Sequence, residues 1–158
     1  MNTDGSLING LAGGGVIIRN SQGGFVAASS YFFSTCTIYE AEVRAILQGL
    51  RLCQTLGLHS VIVESDSKAV VDALSGQTTI PWKYMALFHH IQLLISPTIC
   101  IFHIYREANC VADSLAKTAI TNISSSSYSF TTLPRFVIGL LALDQRGFPS
   151  IRLRKFSM

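Results

Sequence analysis

Four acidic residues carry the chemistry that this sequence can do. They are Asp4 in Thr3-Asp4-Gly5-Ser6, Glu42 in Ala41-Glu42-Val43, Asp66 in Glu64-Ser65-Asp66-Ser67, and Asp113 in Ala112-Asp113-Ser114. The chain has only 9 Asp and Glu among 158 residues, so each acid in an apolar setting needs a reason. Brought together, four carboxylates repel one another unless divalent cations neutralise them. Hard cations with oxygen ligands, Mg²⁺ or Mn²⁺, are the natural partners. A carboxylate cluster holding two such ions is the apparatus of in-line phosphodiester hydrolysis. One ion lowers the pKa of the attacking water and the other steadies the leaving oxygen.

Three of the acids also have plain structural readings. Asp4-Gly5 fits a turn. Glu42 fits the first turn of a helix, where the helix dipole favours negative charge, although Glu40 is better placed for that part. Asp66 fits an N-cap, a role that Ser65 or Ser67 would take over. Asp113, in an otherwise apolar stretch of helix, is hard to explain structurally.

The elements that must position these acids follow from periodicity. Gly13-Gly14-Gly15 precedes the β-branched run Val16-Ile17-Ile18-Arg19, Asn20 to Gly24 reads as a turn, and Phe25 to Ser30 resumes an extended pattern. Met1 to Asp4 adds a first strand, cut very short and ending at Asp4. Val43, Ile46, Leu47, Leu50 and Cys53 recur at helical spacing, predicting a helix from Glu40 to Leu56 with Gly57 at its C-cap. A strand at Val61-Ile62-Val63 and a short helix from Lys68 to Leu74 follow. Next come a helix from Trp82 to Ile95, a strand from Ile99 to Tyr105 and a helix from about Ala108 to Ala119.

The order β-β-β-α-β-α-α-β-α predicts an α/β fold. Its five-stranded mixed sheet has the first three strands antiparallel and helices on both faces. Asp66 then falls at the carboxyl end of a strand, where open α/β sheets place their sites. Residues 1–120 form the domain and 121–158 a C-terminal extension. In the extension, Ser124 to Ser127 is a polar break, Pro134 to Leu143 an apolar helix or adhering segment, and Arg152, Arg154 and Lys155 a basic end.

Composition narrows the class. Hydrophobic residues make up 49% of the chain and charged residues 13%, with a mean hydropathy of +0.40. Disordered and coiled-coil chains are excluded on those values. The net charge of +3 is compatible with a polyanionic partner. The apolar run Val137 to Leu143 is far shorter than the roughly 20 residues of a membrane span, and Met1 to Gly15 lacks the basic start of a signal peptide. Cys36, Cys53, Cys100 and Cys110 have no metal-ligand spacing, which reads as free thiols in a reducing compartment. The expectation is an intracellular monomer, nuclear or cytoplasmic, without membrane association.

Five segments together resemble a known family: Asn2-Thr3-Asp4-Gly5-Ser6; Gly14-Gly15-Val16-Ile17-Ile18-Arg19; Ala41-Glu42-Val43-Arg44-Ala45 with Gly49-Leu50; Val63-Glu64-Ser65-Asp66-Ser67; and Arg106-Glu107-Ala108-Asn109-Cys110-Val111-Ala112-Asp113-Ser114-Leu115-Ala116-Lys117. In this order they resemble ribonuclease H type 1, and more closely its plant, reverse-transcriptase-associated branch. The resemblance covers about Met1 to Ala119, and the stretch from Leu133-Pro134 to Arg152 resembles the short extension of those plant domains.

The resemblance implies the ribonuclease H-like fold and hydrolysis of the RNA strand of RNA–DNA hybrids by two Mg²⁺ ions, with Mn²⁺ able to substitute. It implies that Asp4, Glu42, Asp66 and Asp113 are the catalytic, metal-binding carboxylates, and that Gly5, Ser6, Ser67, Arg106 and Asn109 serve substrate binding. Asn109 would position the loop before the last acid, and Ser67 would cap its helix or touch a phosphate. The hybrid would be read in its minor groove through 2′-hydroxyls. Two departures stand out: only three residues precede Asp4, and Arg106 occupies the loop where many members place a histidine, with His103 three residues earlier.

The other candidates have bland readings. His103 reads as a satisfied or surface histidine, His89-His90 lacks a ligand partner nearby, Trp82 and Tyr84 read as core, and Cys110 as packing. The rival to an enzyme is a non-catalytic nucleic-acid- or protein-binding domain derived from a retroelement. A third reading keeps the nuclease chemistry and changes the substrate, since a fold does not fix one.

Overall fold

The computed structural model describes residues 1–146. The basic cluster Arg152, Arg154 and Lys155 lies outside the described residues. The chain opens with three strands, β1 (Asn2–Ile8), β2 (Leu11–Arg19) and β3 (Phe25–Ser34). Helix α1 (Ile38–Thr55), strand β4 (Val61–Ser65) and helix α2 (Lys68–Leu74) follow. Then come α3 (Met85–Leu94), β5 (Ile99–His103), α4 (Cys110–Asn122), β6 (Ser126–Tyr128) and α5 (Arg135–Gln145).

These strands form one sheet in the order β5-β4-β1-β2-β3-β6. The pairs β1/β2, β2/β3 and β3/β6 are antiparallel, and β1/β4 and β4/β5 are parallel. Among the described residues the sheet therefore has six strands, not the five expected. The sixth, β6, lies in the serine-rich stretch read as a break. A three-residue polar strand has no alternating apolar pattern to betray it. Hydroxyl pairing with β3 accompanies its ladder: Ser29 Oγ donates to Ser127 Oγ at 3.2 Å, and Ser30 Oγ and Tyr128 Oη lie 2.9 Å apart.

Strand β1 also differs from the stub expected. It continues through Gly5 and Ser6 and turns only at Asn9-Gly10, both with positive φ (51° and 80°), the residue pair that two-residue hairpins favour. Gly5 is a packing glycine, not a turn. A Cβ there would clash with the backbone nitrogen of Glu42 and lie 2.7 Å from the carbonyl carbon of Ala41. One strand over, Gly15 does the same for α4, where a Cβ would clash with Ala112 O and lie 2.6 Å from Ala116 N.

Side chains alternate across a strand, so α1 and α4 lie on opposite faces of the sheet. Val16 and Ile18 bury against α1, α2 and α3, and Ile17 and Ala28 bury with α4 and α5. The α1 residues Val43, Ile46, Leu47, Leu50 and Cys53 are all buried, as their spacing predicts. The helix starts earlier than expected because Thr37 caps it, its Oγ1 accepting from the Glu40 N–H at 3.2 Å. Trp82 to Ile95 splits into a 3₁₀ turn (Trp82–Tyr84) and α3. Tyr84 is core, stacked on Tyr39, whereas Trp82 is 85% exposed, contrary to the packing role expected for it. No helix among the described residues is long and apolar enough to cross a membrane. The four cysteines are free.

Candidate active site

The parallel pairing of Thr3 with Ser65 sets Asp4, within β1, beside Asp66, which directly follows β4. The close approach at Gly5 brings Glu42, in the second turn of α1, onto the same spot. There the Gly5 N–H donates to Glu42 Oε2 at 2.9 Å. Asp4, Glu42 and Asp66 each offer a carboxylate oxygen within 4.8 Å of the others.

None of the plain readings accounts for these acids. Asp4 is inside a strand, Glu42 is past the first helical turn, and Asp66 caps nothing with its side chain. Its Oδ1 accepts from Asn109 Nδ2 at 2.9 Å and its Oδ2 from Arg106 Nε at 3.0 Å. Asn109 Nδ2 also donates to the Thr3 carbonyl at 2.9 Å, so one amide ties β1, Asp66 and the start of α4 together.

Asp113 stands apart from the other three. It projects from the first turn of α4, outside the close cluster, with its side chain 38% exposed and paired at 2.5 Å to Lys117. It meets Asp4 and Asp66 in the wall of a cleft of about 480 Å³. Gly5 and Ser6 line that cleft with Arg106, and Leu7, Ile8 and Ile38 give it an apolar flank. Ser67 lies outside the lining. Its side chain makes no cap bond to α2, and its N–H donates to Ser65 Oγ at 3.2 Å. His103 ends β5, exposed and edge-on to Tyr105, also away from the lining.

Lys117 and Cys110 line the cleft as well, and the motif that ends at Lys117 gives the lysine no role. Its position four residues after Asp113 on a helix is the signal that would have found it.

The electrostatics follow from burial. Removal from water, with the charges of Glu42, Asp66 and Asp113 adding to it, pushes the Asp4 carboxyl up to about 10. Burial and then the Asp66 charge push Glu42 up to about 8, partly offset by the Gly5 N–H bond and the Arg106 charge. Asp4 Oδ2 is buried and has no hydrogen-bond partner among the described residues. Crowded acids with an orphaned oxygen are satisfied by retained protons or by a divalent cation. An all-oxygen donor set of this kind fits Mg²⁺ or Mn²⁺.

Solved structures share this architecture. RNase H1 from the halophilic archaeon Halobacterium salinarum NRC-1 superposes with a TM-score of 0.73 at 23% identity, over 77% of this chain and 96% of that one. LC11-RNase H1, solved in complex with an RNA/DNA hybrid, gives 0.70 at 28% identity, also over 77% and 96%. The fold is that of a ribonuclease H-type domain. Residues 2–119 match the family model described as reverse transcriptase-like, and the chain belongs to that family, on the plant retroelement branch of these domains. The Arabidopsis thaliana protein named "Putative ribonuclease H protein At1g65750" is 30% identical over 151 residues, covering 93% of this chain. The chain spans 24% of that relative's length.

Proposed function

We propose that this domain is a metal-dependent endonuclease that hydrolyses the RNA strand of RNA–DNA hybrids. Asp4, Glu42 and Asp66 would hold two Mg²⁺ ions, or Mn²⁺ in their place, with Asp113 joining from α4. The observation that carries the reading is the close, buried group of Asp4, Glu42 and Asp66 with an unpartnered oxygen, opening on a cleft. The hybrid held by LC11-RNase H1 supports the substrate class.

Bound divalent cations would supply an acidified attacking water and neutralise charge on the phosphate and the leaving oxygen. The chain's own residues set the stage. Gly5 N–H aims Glu42 Oε2, and Asn109 holds Asp66 Oδ1 while anchored on Thr3. Gly5 and Ser6 line the cleft with little bulk where a nucleic-acid backbone would approach, and Leu7, Ile8 and Ile38 form an apolar wall beside them. The non-catalytic alternative is favoured by the few residues before Asp4; of these, β1 takes in Asn2 and Thr3, both paired with β2 and β4.

The test is single-turnover cleavage of a labelled hybrid with Mg²⁺, Mn²⁺ or EDTA, beside Asp66→Asn. Cutting confined to the RNA strand, dependent on the cation and lost in the variant, is expected. A folded wild-type protein that binds hybrid and never cuts it would return the domain to the non-catalytic reading.

A further inference from the structure

The site couples one acid to a cation that can leave. Both oxygens of Asp66 are engaged, but by different kinds of partner. Asn109 is neutral, 2% exposed and fixed by its bond to the Thr3 carbonyl. Arg106 is charged, its side chain 62% exposed, on the 3₁₀ turn Arg106–Ala108 that precedes α4. Its Nε donates to Asp66 Oδ2 at 3.0 Å.

A divalent cation on the cluster would draw on the same Asp66 carboxylate. A guanidinium and a doubly charged ion crowded onto one carboxylate repel each other, and the exposed partner is the one free to yield. Once displaced, Arg106 still lines the cleft, with a planar fork of donors suited to a phosphate. Lys117, the other cation in the lining among the described residues, is committed to Asp113, which lies outside the close cluster.

We propose that Arg106 is an exchanging residue: it holds Asp66 while the site lacks a cation, gives way when the cation binds, and then contacts a phosphate of the bound strand. This rests on the proposed function and adds an order of events to it. Arg106 is thus a counter-charge that competes with the cation and a substrate contact that depends on it.

The test uses the whole protein and two readouts besides cleavage. In the first, Mn²⁺ affinity is measured without nucleic acid, by titration followed with electron paramagnetic resonance. Arg106→Gln should bind Mn²⁺ about threefold to tenfold more tightly than wild type, since an exposed competing charge is removed. In the second, hybrid binding is followed against salt, in Ca²⁺ and in EDTA. The slope of the variant should be smaller by about one phosphate contact in Ca²⁺ and equal to wild type in EDTA. Unchanged or weaker Mn²⁺ binding by the variant, or the same slope difference in both conditions, would overturn the exchange and leave Arg106 a fixed contact. Absence of Mn²⁺ binding by wild type, with Asp66→Asn indistinguishable from it, would instead remove the metal site itself.

Discussion

The two sides of the cleft solve the same electrostatic problem in opposite ways. On the β1–α1 side, Asp4 and Glu42 are 2% and 5% exposed, and among the described residues no cation bonds either one. On the α4 side, Asp113 is partly exposed and has Lys117 beside it, and the Arg106 turn reaches Asp66 through solvent-facing atoms. The first side holds acids whose ionisation burial opposes, a cost that a bound cation would offset. The second already carries its counter-charges, at the modest worth of exposed pairs. Affinity for a cation therefore belongs to the buried side, and adjustment to a substrate belongs to the exposed one.

Substituting one acid from each side separates them most sharply. Asp4→Asn and Asp113→Asn should both lower cation-dependent hybrid cleavage, the former by about a thousandfold or more, because several kcal/mol of charge stabilisation is lost. Thermal melting in EDTA then distinguishes the two. Asp4→Asn removes a buried carboxyl that burial disfavours, so its midpoint should rise above wild type, whereas Asp113→Asn loses only an exposed pair and should not rise. A midpoint for Asp4→Asn below that of wild type would mean that the buried acid is not a strained one.

The buried side should also govern how stability depends on pH. Asp4 and Glu42 have their folded pKa values raised, from 3.8 to about 10 and from 4.5 to about 8. In the folded protein they keep protons that the unfolded chain gives up. The stability contribution of these groups is thus fully present below about pH 4 and is lost as the pH rises through 8 and then 10. The slope is about 1.4 kcal/mol per pH unit for each proton retained. Denaturant unfolding in EDTA from pH 5 to 9 should show this decline, and saturating Mg²⁺ should flatten it.

A smaller effect is expected from the close approach that creates the buried side. Gly5→Ala places a methyl group against the backbone of Ala41 and Glu42. The protein should lose about 1–3 kcal/mol, the usual cost of overpacking, and α1 should shift away from β1. Unfolding curves measure the loss, and a reduced Mn²⁺ affinity would show that Glu42 has moved with the helix.

Much of this site is legible in the residues alone. Asp66 follows a β-branched run and Asp113 sits oddly among apolar helical neighbours, so both draw attention without any coordinates. Other features depend on contacts between distant segments. Gly5 reads as a turn because Asp-Gly favours turns, and only the approach of α1 shows that it admits a helix backbone. The hairpin signal in Asn9-Gly10 is present in the sequence, but the turn signal of Asp4-Gly5 competes with it. Strand β6 is too short and too polar to have a period. The separation of Asp113 from the other three acids is a matter of ångströms, which spacing along a chain does not encode.

The most direct test of the buried carboxylates as a cation site is calorimetric titration of the ion-free protein with Mn²⁺ at pH 7, repeated in buffers of different ionisation enthalpy, with Asp4→Asn as the control. A site built from acids that retain their protons must release them on binding. The expected result is saturable binding with net proton release in wild type, and weaker binding with less release in the variant. Binding without proton release, or equal binding by the variant, would contradict the account.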